Sequence, residues 1–517
     1  MNFFKQLFRK RDLTELLEEA KTDSKLARVL DTKALTSIGI GAIIGTGIFV
    51  LVGEVAKEIA GPAIVLSFVV AGMLCVLAAL CYAEFASMAP VEGSAYTYGY
   101  CTLGEFFAWI IAWDLILEYA VAASAVAHGW SHYLQNLLVL LNETTGGWVP
   151  TIPGRFGNSP IDYLKDAAGE RTEVIGLTGN VVDLPAVIIT LILSALLVKG
   201  IKESARFNSA MVILKVAIVL AVIGIGACYI DTANWKPFAP YGYGGVTFFG
   251  DMIWGTFNAA GKPVGVLAGA AIMFFAFVGF DGVSAHSAEA KDPERDVPKA
   301  ILYSLLVCTA LYLLVGGVLT GMVHYTKLDS DAPVSDAFGQ VGLPWMQFVV
   351  AVGAIAGMTS VMLVMMLTQP RILLALARDG LLPQKPFGVV HPKFKTPWIS
   401  TIMVGVFVAV LAGCLPLSIL ADLVSIGTLL AFAIVCAAVL IMRYVDPDAK
   451  RPFKTPFFPF VPIAGVLGCL LLMFSLPWEN WLRLLVWLGL GMLIYFTYGF
   501  WKSKQRFKDK AAAGGEK

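Results

Sequence analysis

Ionisable side chains are scarce in the long apolar stretches of this chain, and each is a candidate for chemistry, because a charge at bilayer depth costs several kcal/mol unless it is paired or faces water. In "WDLILEYAV", Asp114 and Glu118 stand four residues apart, which puts both carboxylates on one face of a helix. In "FNSAMVILKVAIVLAV", Lys215 is embedded among apolar neighbours. In "FFAFVGFDGVSAHSAEA", Asp281 follows Phe275, Phe277, Gly279 and Phe280, with His286 and Glu289 further on. Such groups can bind a cation, carry a proton or hold helices together. For the carboxylate pair, packing between helices is the competing use, and for Lys215 a structural ion pair. His286 reads as a polar contact rather than a proton relay, and His128 and His132 as interfacial side chains.

The second candidate is backbone. "GIGAIIGTGIF", residues 39 to 49, carries Gly39, Gly41, Gly45 and Gly47, although glycine costs roughly 1 kcal/mol against alanine inside a helix. Gly41 and Gly45 fit the small-residue spacing that lets two helices approach closely. The spacing is wrong for a dinucleotide fingerprint. The stretch around Gly279 has a similar interruption, and the two stretches open two halves of the chain. Corresponding broken helices in two halves point to a transport site at the bilayer midplane, where half-helix N-termini attract an anion and freed carbonyls attract a cation. An amino acid zwitterion carries both charges, and side chains at these positions would obstruct its approach to the backbone.

The elements that must position these groups are membrane helices. Of the residues, 58% are hydrophobic and 15% charged, against roughly 25% charged in soluble domains. Windows of about 20 apolar residues predict twelve spans near 35–57, 62–88, 103–136, 183–199, 208–230, 267–290, 299–323, 345–377, 398–416, 421–442, 460–476 and 482–501. Most of the 38 Lys and Arg fall on the side of the two termini, which places both in the cytoplasm. Residues 1–33 are expected to form an amphipathic cytoplasmic segment rather than a cleaved signal. Residues 34–230 then hold five spans, 266–443 five more, 444–502 two further helices and 503–517 a tail. Two polar insertions, 137–182 and 231–265, fall outside. Asn142-Glu143-Thr144 matches a glycosylation pattern of little weight.

Other classes find no support in the residues. The eight cysteines include no C-x-x-C pair, so neither a disulfide framework nor a zinc site is expected. No basic face interleaved with aromatics suggests nucleic acid. An enzyme would need a nucleophile with its base, or a metal cluster, at one membrane face, and no such pattern, metal site or cofactor motif is visible.

The chain resembles the amino acid/polyamine/organocation transporters, and within them the cationic amino acid transporters and their bacterial relatives. The resemblance covers residues 30 to 505 and rests on GIGAIIGTGIF, "CYAEFASMAPVEGSAYTYGY", "WDLILEYAVAASAVA", "FFAFVGFDGVSAHSAEAKDPERDVPKAI", "RILLALARDGLLP" and "LVSIGTLLAF". It implies an all-α integral membrane protein of twelve helices, a five-plus-five inverted repeat of the LeuT type followed by two accessory helices. It further implies that the substrate carboxylate meets the backbone at Gly45, Thr46 and Gly47. The amino group would meet carbonyls near Ile43, Phe275 and Val278. Phe275 would close the site from outside, Glu289 would belong to the cytoplasmic gate, and Glu118 and Asp281 would border the pocket. Lys215 would stand where sodium-coupled relatives hold their ion, bonding carbonyls near Gly39 and hydroxyls such as Thr359 or Ser360. The cost of burying its charge suits it to load and release a proton. Ala290 and His286 depart from the usual pattern at that gate.

The expected function is therefore proton-coupled uptake of an L-amino acid across the cytoplasmic membrane. The substrate is cationic, such as arginine or lysine, if Glu118 and Asp281 face it. It is small and neutral, such as alanine, if Met362, Met365 or Met366 fill the pocket. Exchange without proton coupling and a non-transporting sensor are the alternatives. The partners are the amino acid and the lipid bilayer, with a small accessory membrane subunit left open.

Overall fold

The computed structural model describes residues 7–11, 30–88, 94–165, 171–199, 204–248, 250–259, 261–287, 290–328, 332–394 and 396–504. Most of the amphipathic segment 1–33, nearly all of the tail 503–517, and Glu289 lie outside these residues.

Lipid offers no hydrogen bonds to the backbone, so an apolar chain must satisfy its peptide groups within helices. The described chain is accordingly mostly helical. Its principal helices are α1 (Thr32–Ile43), α2 (Ile64–Met88), α3 (Ser94–Thr102), α4 (Glu105–Thr144), α5 (Leu184–Lys199), α6 (Ser204–Gly226), α7 (Val266–Met273), α8 (Gly282–Ala285), α9 (Pro293–Met322), α10 (Pro344–Arg378), α11 (Trp398–Cys414), α12 (Leu417–Val445), α13 (Phe460–Met473) and α14 (Trp478–Ile494). Among the described residues, eight helices are long and apolar enough to cross a membrane, and α5, α11 and α13 are shorter apolar helices.

Burial sorts them into core and periphery. The most apolar windows of Glu105–Thr144 and of Val266–Ser284 are 89% buried, whereas those of Ala210–Tyr229 and Trp478–Lys502 are 33% and 28% buried. Thus α4 and the interrupted α7–α8 segment form the centre, and α6 and α14 present most of their surface outward. Helix α4 packs against α10, α12, α11 and α5, while α2 packs against α9. On the periphery, α14 docks on α4 through tryptophans: Trp113 and Trp487 stack with centroids 4.6 Å apart, and each indole N–H donates to the other's backbone carbonyl, at 2.8 and 3.0 Å.

One expectation changes. The third span, expected at 103–136, continues as one helix to Thr144, so the first eight residues of the presumed outer loop are helical. Asn142 lies in that last turn, where its side-chain amide donates to the Val149 carbonyl at 2.6 Å. The remainder of the insertion contains an antiparallel pair, β1 (Ile161–Lys165) with β2 (Arg171–Leu177).

Candidate functional site

Both predicted interruptions exist. Helix α1 starts at an Asp31 cap whose carboxylate accepts from the Ala34 N–H at 2.9 Å, and it ends at Ile43, after which Ile44 is extended with ψ 100°. A helix restarts at Gly47, with the N–H groups of Ile48 and Phe49 both reaching the Gly45 carbonyl. The opening N–H groups of such a turn lack intrahelical acceptors. The second interruption follows α7, where a 3-10 turn at Phe274–Phe277 gives way to extended Val278 and to Gly279 at φ +113°, before α8.

Two glycines let the interruptions touch. A Cβ on Gly47 would stand 2.5 Å from Cα and Cβ of Ala276, and one on Gly279 would stand 3.0 to 3.1 Å from Ala42. Gly279 also holds a left-handed conformation that favours glycine. Tyr312 of α9 spans the junction: its hydroxyl lies 2.9 Å from the carbonyl of Ile43 in the first interruption and 2.9 Å from that of Ala276 in the second.

Lys215 of α6, fully buried, donates to the carbonyls of Gly41 at 2.5 Å and Ile44 at 3.1 Å, the end of α1 and the start of the interruption. Gly357 of α10 packs over its stem, where a Cβ would lie 3.4 Å from the lysine Cβ. The carbonyls that receive the lysine are thus further along than the expected Gly39. Thr359 is not among its partners: its hydroxyl donates to Ile355 and accepts the Trp130 indole N–H at 3.0 Å. Ser360 is buried on the same helix.

Thr46 is buried, and its hydroxyl donates to Met358 Sδ of α10 at 3.5 Å. Helix α4 reaches the same place through Gly129, where a Cβ would stand 2.7 Å from the Thr46 methyl, and through Tyr133, whose hydroxyl donates to the Phe49 carbonyl at 2.7 Å. Val361 lies against Gly45, 3.2 Å from where its Cβ would be. Met362, Met365 and Met366 are buried, as are Phe275 and Val278.

The acidic side chains divide. Asp281, at the foot of the second interruption, accepts the Tyr119 hydroxyl on Oδ2 at 2.6 Å. Asp114 and Glu118 are fully buried, and neither carboxylate faces a cation among the described residues; the Thr428 hydroxyl lies beside that of Glu118. Asp114 lies against Gly427 of α12. A buried carboxyl group in that condition requires a proton or a cation. His286 is half-buried.

The structure therefore brings together Ile43, Gly45, Thr46, Gly47, Val278, Asp281 and Lys215 around one junction. Sequence reasoning missed Tyr312, Tyr119, Tyr133 and Met358. The signal for Tyr312 is a phenol within an apolar helix, whose O–H must find an acceptor at that depth.

Comparison with known proteins places this geometry in context. A sequence model described as amino acid permease matches residues 30–487. The chain is 43% identical to the methylthioribose transporter of Bacillus subtilis, over 95% of this chain and 97% of that one. It is also 43% identical to the branched-chain amino acid permease BcaP of the same organism, over 96% and 98%. To cationic amino acid transporter 4, vacuolar, of Arabidopsis thaliana it is 38% identical, over 82% of this chain and 64% of that one.

Proposed function

The chain belongs to the amino acid permease family, a family of multi-pass membrane transporters, and from that premise we propose that it is a secondary active transporter taking up L-amino acids together with protons. The observation that carries the coupling is the pair of bonds from the Lys215 ammonium to the Gly41 and Ile44 carbonyls. Charged, the lysine ties the first interrupted helix to α6. Neutral, it holds that helix less tightly, so protonation biases a two-state element. The twelve spans, the five-plus-five repeat, termini in the cytoplasm and residence in the cytoplasmic membrane belong to the same reading. The proton is the coupling ion, and no further cofactor is assigned.

The substrate carboxylate meets the helix start at Gly45, Thr46 and Gly47, and its ammonium meets the carbonyl side at Ile43 and around Phe275 and Val278. Phe275 and Glu289 serve as gates. Beyond the α-carbon, Met358 and Val361 crowd the interruption, which supports a small or branched apolar side chain. That agrees with the name of the branched-chain permease relative. A cationic side chain is the second reading, and the carboxylates of Asp114 and Glu118, which no cation among the described residues faces, favour it.

Uptake of labelled amino acids into proteoliposomes, with and without an inward proton gradient at zero voltage, tests the proposal. The panel comprises alanine, valine, leucine, arginine and methylthioribose, each labelled in turn. Gradient-driven accumulation of the apolar amino acids is the expected result. An absolute need for internal amino acid would replace symport with exchange, binding without uptake would make the protein a sensor, and transport of methylthioribose alone would overturn the amino acid assignment.

A further inference from the structure

We propose that His128, His132 and Asp183 form a binding site for a divalent transition-metal ion of the zinc class, fastening α4 to the start of α5. His128 and His132 lie one turn apart on α4 and face each other, with ring centroids 4.4 Å apart. Asp183, fully buried, immediately precedes α5 and turns Oδ2 to within 3.0 Å of His128 Nδ1. One potential ligand atom from each of the three residues lies within 4.8 Å of the other two.

Two imidazoles and one carboxylate are a known ligand set of zinc sites that keep an open fourth position, with ligands about 2 Å from the ion and hence roughly 3.3 Å from one another. The carboxylate is already aimed. Its Oδ1 accepts the Ser131 hydroxyl at 2.5 Å and the Ala186 N–H at 3.2 Å, which directs Oδ2 at the histidines. Gln135 extends this shell with a bond to Ser131 Oγ at 3.1 Å. The Asp183 N–H is held by the Gly413 carbonyl at the end of α11, at 3.0 Å. Outer bonds of this kind orient metal ligands and raise affinity. The same stretch of α4 carries Gly129, Trp130 and Tyr133, which touch Thr46, Thr359 and Phe49. An ion here therefore stiffens the wall behind the first interruption.

The test is metal binding to the full chain, free of any histidine tag, by calorimetry with Zn²⁺ and by visible absorption with Co²⁺. This readout is independent of transport, so its failure leaves the transport reading standing. The expected result is one ion per chain, the ligand-field bands of tetrahedral Co²⁺, and a thermal midpoint raised by Zn²⁺. His132→Ala should weaken binding by more than about tenfold and Ser131→Ala by roughly tenfold. His132→Cys, which supplies another zinc ligand, should restore it with a sulfur-to-cobalt charge-transfer band. Absence of stoichiometric binding to the wild-type chain, or equal affinity in His128→Ala, His132→Ala and wild type, would leave only a His–Asp contact and overturn the assignment. If His132→Ala fails to fold, the wild-type cobalt spectrum and the His132→Cys band decide.

Discussion

Replacement of Lys215 by methionine probes the coupling most directly. The thioether fills the lysine's channel beside Gly357 but removes both bonds to Gly41 and Ile44. A hydrogen bond from a charged donor contributes about 1.5–3 kcal/mol, and a neutral one about 0.5–1.5. Over two bonds, losing the proton therefore relaxes the hold on α1 by about 2–3 kcal/mol, a roughly 30- to 150-fold shift between the held and released forms. That range matches the task, since one proton moving down a gradient of two pH units supplies about 2.7 kcal/mol, enough for ~100-fold accumulation. Wild-type proteoliposomes should reach an accumulation that rises about tenfold per unit of imposed gradient. Those bearing Lys215→Met should equilibrate substrate without exceeding the external concentration, while still binding it in an equilibrium assay. Gradient-driven accumulation retained by the methionine variant would refute the role given to this lysine and, with it, the proton switch.

Gly47→Ala places a methyl 2.5 Å from Ala276, so it should force the two interruptions apart, weaken substrate binding by more than about tenfold and destabilise the fold by roughly 1–3 kcal/mol. Wild-type uptake in that variant would show that the interruptions need not touch. Glu118→Gln keeps size and removes the capacity to carry a charge. On the apolar-substrate reading, arginine competition against alanine uptake stays within about twofold, and a fall of tenfold, or 1.4 kcal/mol, would move the assignment to a cationic side chain. Away from the site, Glu84 accepts from Arg443 Nε at 3.0 Å and Nη2 at 2.6 Å and from the Thr455 N–H at 2.7 Å. Arg451, whose side chain is 4% exposed, adds its Nε at 3.4 Å from the same carboxylate, so Glu84→Ala strands a buried guanidinium and should cost roughly 3 kcal/mol, seen as a lower thermal midpoint. The folded fraction should transport normally, and loss of transport without loss of stability would contradict a purely structural role.

The features legible in the sequence were those that violate the rules of a lipid-facing helix. The glycines at 39 to 47 and 279 mark the interruptions because glycine is costly inside a helix, and Asp114, Glu118, Lys215 and Asp281 stand out because charge is costly at that depth. Partnership was harder to read. Which carbonyls Lys215 reaches depends on the rotation of α6 against α1 across 174 residues of chain, so Gly41 and Ile44 replace the neighbourhood of Gly39, and Thr359 turns to Trp130 instead. Tyr312 escaped notice because its hydroxyl carries no charge. His128 and His132 showed their one-turn spacing, but Asp183 joins them only after a long connection, so no local pattern announced the trio. The overrun of α4 to Thr144 rests on the apolar run of residues 137–141, which carries the helix past a span already longer than the roughly 20 residues a bilayer requires.

A phenol has a single hydrogen to give, and Tyr312 stands equally near two claimants, the oxygens of Ile43 and Ala276. The one O–H is thus shared between the two interruptions, and any donor that took up the Ile43 carbonyl or the Ala276 carbonyl would compete with it there and leave it to the other.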